Sequence, residues 1–363
     1  MKKAALIALI PLLLLAGCAR KEEPEPEDTT PPVVVTVTPE RPRQEGPSAW
    51  DYLSFEPDVH MVYEGSGNEY ASFETWVEYV TRDAVQLRVD TGGTVSSVVY
   101  TATEDGLVMT ASRGEEYGRV NLIGQNTTED ILIKEPIAVG TEWRSDGKTR
   151  RITGVDVEVT VPLGTYKALE VTTKTAAGTV QDYYAKGVGL IKTVFTPNED
   201  KSAVITSALA RRETGAAVTL HLNVYYPRED GSGVVFTDRE VSLKTGDTLA
   251  QALTELFRTP PAGAAPVMPK KGEILSVGFD LQAGTATVDL GKSFTEGMAG
   301  KSAALERLIL QSLANTLADA FQTENVALTV EGGAYRTENF YFDPGQNLYV
   351  RIDTAQAAEE ETE

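Results

Sequence analysis

Cysteine is almost absent from this chain: Cys18 is the sole one among 363 residues. A single thiol excludes any disulfide within the chain, so the fold must rest on core packing. Histidine is nearly as scarce, with only His60 and His221, about 160 residues apart. A zinc site needs several ligands at defined spacing, and neither histidine sits in such a pattern. Basic residues are outnumbered, 33 Lys and Arg against 53 Asp and Glu, for a net charge of -20. That balance has the wrong sign for nucleic acid, whose phosphates need clustered cations. Long apolar runs are missing too: the greasiest, Ala4–Leu15, is shorter than the roughly 20 residues that span a bilayer.

What the first residues do contain is a layout. Lys2 and Lys3 precede the apolar run, and small residues Ala16 and Gly17 precede Cys18. This is the order of a secretory signal. Leu15-Ala16-Gly17-Cys18 resembles the lipobox of bacterial lipoproteins. The resemblance implies a signal over 1–17, acyl chains such as palmitate on Cys18, and a protein held at the outer face of the cytoplasmic membrane. Two or more acyl chains hold stably where one holds marginally, at about 0.8 kcal/mol per buried methylene. Residues 18–48, rich in Pro, Glu and Thr, read as a disordered tether that cannot bury enough apolar surface to order itself. Its "VVVTVT" at Val33–Thr38 reads as a strand hemmed in by prolines.

Residues 49–212 show alternating runs such as "AVQLRVD", "DVEVTV" and "YKALEVTT", separated by turns at Thr91-Gly92-Gly93, Glu104-Asp105-Gly106 and Ser145-Asp146-Gly147. Many short strands at close spacing predict an all-β antiparallel sandwich or open barrel. Trp76, Tyr79, Tyr100, Tyr183, Tyr184 and Phe195 fit the interior of such a sandwich, or alternatively the lining of a cavity. A polar joint at Arg211–Ala217 follows.

Beyond it the period changes. Leu249, Ala252, Leu253, Leu256 and Phe257 fall on one face of a helix, with Asp247 placed to cap it and Pro260-Pro261 to stop it. Strands "EILSVGFD" and "TATVDL" lead to a second helix over 302–321. The pattern predicts a small α+β unit over 218–343, one sheet with two helices on a face, and an acidic tail over 352–363.

The blocks "LNVYYP", "REVSL", "LAQALTELF", "ILSVGFD", "ATVDLGKSF" and "LERLILQSLANTLADAF" resemble, in order and spacing, the GerMN domain of sporulation and spore-germination lipoproteins. The resemblance implies an extracytoplasmic module, a compact fold similar to ring-building motifs, and no settled catalytic chemistry. Members often carry two copies, and one is found here. The segment around "VGTEWRSDGKTRRITGVDVEVTVPLGTYKALEVTTK" resembles an uncharacterised β-rich domain of secreted lipoproteins.

Apparent motifs dissolve on inspection. Gly187-Val188-Gly189 lacks the third glycine and the helix of a dinucleotide fingerprint. Gly291-Lys292-Ser293 lacks the first glycine of a P-loop, so Lys292 reads as a turn lysine. There is no Gly-x-Ser-x-Gly elbow. No catalytic, cofactor-binding or metal-ligating residue is assigned and no cofactor is expected. Cys18 is the one site residue, for lipidation. The partners expected are the membrane and an envelope or sporulation protein, or peptidoglycan. The function that follows is a non-catalytic binding or assembly module in sporulation, germination or envelope assembly. The alternative is a carrier or sensor of a lipid or other apolar ligand through the β-domain.

Overall fold

The computed structural model describes residues 46–348 and 350–358. Cys18, the expected signal and the Val33–Thr38 strand lie outside the described residues.

Twelve strands make one antiparallel sheet. They are β1 (Val59–Ser66), β2 (Phe73–Val80), β3 (Ala84–Asp90), β4 (Val95–Ala102), β5 (Gly106–Gly114) and β6 (Asp130–Lys134). The second half comprises β7 (Glu142–Ser145), β8 (Lys148–Val161), β9 (Gly164–Lys174), β10 (Gly178–Ala185), β11 (Gly189–Pro197) and β12 (Ile205–Thr214). Each strand pairs with its sequence neighbours, and β12 returns to pair with β1. The meander therefore closes everywhere except between β6 and β7, giving the open barrel, one of the two arrangements that the strand spacing predicts. The joint expected at Arg211–Ala217 is largely strand: Arg211 and Arg212 pair with Val62 and Met61.

Side chains stitch the gap. The Ile131 N–H donates to Ser145 Oγ at 2.7 Å, and Trp143 Nε1 donates to the Ile131 carbonyl at 2.8 Å. Arg150 on β8 reaches across to Asp130 on β6 with two parallel bonds of 2.6 and 2.8 Å. Both side chains are buried. Burial pushes the Asp130 carboxyl up, but the bonds and charge of Arg150 outweigh it and hold the group below its ordinary value.

Inside the barrel, Met61, Leu107, Ile152, Leu169 and Leu209 form one core. A 3-10 turn, Ala49–Tyr52, plugs one end of it. Ser48 caps this turn, the Ala49 N–H donates to Glu135 Oε1 at 2.6 Å, and the Gly187 N–H donates to the Asp51 carbonyl at 2.7 Å.

The C-terminal unit starts with the hairpin β13 (Val218–Pro227) and β14 (Val234–Leu243). In β13, Val218, Leu220, Leu222 and Val224 are buried while Thr219, His221 and Asn223 are exposed, the two-residue period of a half-buried strand. Then come α1 (Leu249–Arg258), β15 (Ile274–Asp280), β16 (Thr285–Leu290), α2 (Lys292–Glu296), α3 (Ala303–Ala320) and β17 (Val326–Val330). Short strands β18 (Tyr335–Arg336), β19 (Tyr341–Phe342) and β20 (Gln356–Ala357) complete it. The expected helices form, on the expected faces: Leu253 and Phe257 of α1 and Ile309, Leu313 and Leu317 of α3 are buried.

Three details differ from the sequence reading. Among the described residues the strands split into three sheets, β13-β14-β20, β15-β16-β17 and the two-stranded β18-β19, rather than one. The reason lies at β13: its Tyr225 N–H donates to Thr316 Oγ1 of α3 at 3.0 Å, so a helix rather than a strand meets it there. Asp247 does not cap α1, whose N-cap is Thr248. The Asp247 carboxylate instead accepts the Lys244 N–H at 2.7 Å and closes the preceding turn. Lys292 is not a turn residue but opens α2, 3.7 Å from Glu296 one helical turn on.

The seam yields a prediction. Asp130→Ala leaves the Arg150 guanidinium buried without its counter-charge and is expected to destabilise the fold by about 3–5 kcal/mol. The double variant Asp130→Ala/Arg150→Met should recover most of that loss. Urea unfolding midpoints of the three proteins check it, and equal midpoints for single and double variants would contradict the account of the seam.

Candidate functional site

The connection after β5, residues 115–129, has no regular structure and is long for a compact domain. It runs between the outer face of β2–β5 and the C-terminal unit. Gly118, Arg119, Val120 and Leu122 within it are buried. Two residues of β3 hold its backbone. Gln86 donates to the Val120 carbonyl at 2.8 Å and accepts the Leu122 N–H at 2.7 Å, and Arg88 donates to the Gly118 carbonyl at 3.0 Å. On the other side the Gly118 N–H donates to the Ala320 carbonyl at the end of α3 at 2.7 Å. A Cβ at Gly118 would fall against the Phe321 ring, so glycine permits this approach.

Charge is buried along the same line. Arg119, 1% exposed, donates through Nη2 to the Glu78 carbonyl at 2.7 Å and the Lys244 carbonyl at 2.6 Å, one from each side. Its guanidinium lies over the Tyr79 ring at 5.0 Å. The Glu78 carboxylate accepts from Gln86 at 2.8 Å and Ser97 at 3.1 Å, and lies 3.5 Å from Arg88. Arg113 pairs with Glu116, donates to the Phe321 carbonyl, and covers the Phe279 ring at 4.0 Å. Burial pushes the Glu116 carboxyl up to about 7, against the opposing pull of Arg113. Farther along, Asp58 and Thr245 exchange bonds of 2.7 and 2.8 Å, and the Gly246 N–H donates to the Glu78 carbonyl at 2.8 Å.

The strap ends at an edge strand. Gln125 donates to the Phe279 carbonyl at 2.6 Å and accepts the Leu281 N–H at 3.0 Å, imitating a paired strand at the end of β15. At the other end the Ile274 N–H donates to Thr254 Oγ1 at 3.0 Å. Between these caps, among the described residues, no strand but β16 pairs with β15. There Leu275 is 46% exposed and Ser276 is exposed. Beside this edge an open cleft of about 440 Å³ is lined by Asn121, Gln125, Gly278, Phe279, Asp280 and Thr287. Free main-chain groups, an exposed leucine and a cleft suit an added strand or extended chain.

Other polar groups hold structure. Glu306 of α3 is fully buried and accepts from Tyr335, Thr337 and Asn339, each at 2.6 Å. His60 stacks on Trp76 at 4.4 Å, with Glu74 at 2.7 Å and Glu213 at 3.4 Å. His221 is exposed beside Asp238 and Glu240. The carboxylates near each histidine come from paired strands, which chain spacing does not reveal. Among the described residues no group of three or more His, Cys, Asp or Glu could hold a metal ion. The aromatic set divides: Trp76 packs toward the C-terminal core and Tyr79 bonds the Asp247 carbonyl, while Tyr100 and Tyr184 belong to the barrel core.

Residues 223–336 match the family model Germane, described as sporulation and spore germination, and form a GerMN-type domain. Among solved structures, the tandem GerMN domains of GerM from Bacillus subtilis align at 20% identity and TM-score 0.29, covering 38% of this chain and 48% of that one. The chain thus spans about half of that tandem. An exported protein from Bacteroides fragilis, provisionally named and described as YmcC-like in fold, aligns at 10% identity and TM-score 0.26, covering 45% and 99%. A provisionally named lipoprotein from Clostridium perfringens aligns at 18% identity and TM-score 0.22, covering 37% and 87%. No curated protein matches the chain.

The buried carboxyl of Glu116 makes stability depend on pH. Its folded value lies above its ordinary 4.5, so the folded protein holds a proton that the unfolded chain has released. Stability therefore falls as pH rises from 4.5 to about 7. Glu116→Gln keeps a partner for Arg113 without the charge. The urea stability of the wild type relative to this variant should fall by about 2–3 kcal/mol across that window, at about 1.4 kcal/mol per unit. Asp182, also raised by burial, is common to both proteins and cancels. A difference that stays flat with pH would show that Glu116 is solvated.

Proposed function

We propose that the chain is an exported lipoprotein, anchored by acyl chains on Cys18 at the outer face of the cytoplasmic membrane, and that it works by docking rather than by catalysis. In this reading residues 1–17 are a signal, 18–48 a tether, 49–212 the β-domain, 218–343 the GerMN domain and 352–363 a tail, of which Gln356–Ala357 pairs with β14. The partner is a sporulation or envelope protein, or peptidoglycan, met during sporulation, germination or envelope assembly.

One observation carries the reading. The GerMN-type unit is fastened to the sheet by the Arg119 and Arg113 guanidiniums and the Gly118 N–H, yet between Gln125 and Thr254 the edge of β15, with Leu275 exposed, is left unpaired among the described residues. A unit so fixed, with one strand edge left open, is a platform for strand addition. The buried carboxylates of Glu78, Glu116 and Glu306 are engaged in structural bonds. No helix among the described residues is long and apolar enough to cross a membrane, so an anchor through Cys18 is consistent with them.

Two outcomes follow. Cys18→Ala should leave unfolding unchanged and move the protein from the membrane to the soluble fraction, and retention on membranes would refute the anchor. A photo-crosslinking residue at Leu275 should capture a partner in native membranes that one at exposed Val139 does not. Equal capture at both positions would remove the edge from the reading.

A further inference from the structure

A barrel of twelve strands is wider than its own side chains can fill. Among the described residues one end is plugged, where Tyr52, Ile152, Leu169, Ile191 and Leu209 are buried. Toward the other end, marked by the turns after β3, β9 and β11, burial alternates on β9, where Val171 and Thr173 are buried, but not along β10, β11 and β12. Val180–Tyr183, Lys192–Pro197 and Ile205–Ala208 are half-buried at every position. A strand touches solvent on both faces only if its inner face borders open space. The inner faces follow from register: Asp182 lies opposite Thr193 and Val171, and Phe195 opposite Val180 and Ile205. Across the lumen, Phe73, Leu87, Val98 and Tyr100 are likewise half-buried.

The polar groups within this space are under-used. Asp182 Oδ1 accepts from Thr193 at 2.7 Å. Among the described residues, Asp182 Oδ2 and the hydroxyls of Tyr100 and Tyr184 have no hydrogen-bond partner. The three side chains lie close enough for the Asp182 charge to act on both phenols. Burial within the wall raises the Asp182 carboxyl, opposed by Thr193 and Arg150. The Arg150 guanidinium itself is taken up by Asp130. At the rim, Tyr70 and Val204 are 64% and 38% exposed, Tyr70 against Gly93 of the turn after β3 and Val204 against Gly67.

We infer that the open half of the barrel binds a single-chain amphiphile whose head donates hydrogen bonds, a hydroxyl or an ammonium, to Asp182, Tyr100 and Tyr184, with its chain along Phe73, Val98, Val180 and Phe195. An apolar lining with a few convergent polar groups is the general form of such a site. A carboxylate head is disfavoured, because it would meet Asp182 with Arg150 already neutralised. The site is independent of the docking edge: loss of every partner at β15 would leave it standing.

The test uses the full chain carrying Cys18→Ala, titrated calorimetrically below micelle formation with decan-1-ol, decylamine and decanoate. The alcohol and the amine should bind, with decanoate at least tenfold weaker. Asp182→Asn should cut amine affinity about tenfold and change the alcohol little. Val98→Trp, which fills the lumen, should abolish binding of both. Failure of the folded chain to bind the alcohol and the amine, decanoate binding as tightly as either, or an unchanged amine affinity in Asp182→Asn would each overturn the inference. If Val98→Trp does not fold, the Asp182→Asn comparison decides alone.

Discussion

The arrangement of the folded chain depends on one buried cation. Arg119 sits on a strap with no secondary structure of its own, and a single guanidinium nitrogen bonds carbonyls of β2 and of the turn before α1. Desolvating a guanidinium costs several kcal/mol, which is offset only where its surroundings return hydrogen bonds and charge. Here the return is partial: Nη2 makes both carbonyl bonds and the Tyr79 ring faces the group, while Nε and Nη1 are buried with no hydrogen-bond partner among the described residues. The strap can stay buried because Gln86 and Arg88 satisfy its peptide groups. Ala84, Val99 and Ala111 of the sheet then share one apolar core with the C-terminal helices. Remove the polar fastening and that apolar contact would have to be made by a sheet face carrying Glu78, Gln86 and Arg88.

Barrel width has its own consequences. Interior side chains fill an eight-stranded barrel, and a twelve-stranded one leaves space over. The 3-10 turn at Ala49–Tyr52 takes up part of that space at one end, fixed by Glu135 and the Gly187 amide. The gap between β6 and β7 is the other compromise. Trp143, Ser145 and the Asp130–Arg150 pair replace ladder bonds there with side-chain bonds.

Much of the fold was legible in the sequence, and the reason is period. Alternation in "VTLHLNV" and the helical spacing of Leu249, Leu253 and Phe257 reflect burial on one side, which any sequence records. The resemblance of the 218–343 blocks to GerMN domains was legible for the same reason, since they are core positions in order. The junction was not. Gln86 and Arg88 alternate with Val85, Leu87 and Val89 just as solvent-facing residues would, and only tertiary structure reveals that their face is covered. The strap "EEYGRVNLIGQN" has no period, so nothing local distinguishes it from an exposed loop. The one site residue chosen from sequence, Cys18, lies outside the described residues, while the groups facing the lumen belong to strands far apart in the chain.

Where the arginines go bears on how such a chain would meet a membrane. Arg88, Arg113, Arg119 and Arg150 are drawn into buried contacts with Glu78, Glu116 and Asp130. Those groups carry more positive than negative charge, so the surface is at least as acidic as the net charge of -20 indicates. Anionic headgroups repel such a surface, and basic residues that would help at about 1 kcal/mol each are spent inside. The net charge therefore opposes the approach of this protein to an anionic bilayer. In the reading proposed above, attachment must be apolar and chemical, at Cys18, and an acidic tether is suited to hold the folded part clear of the headgroups that repel it.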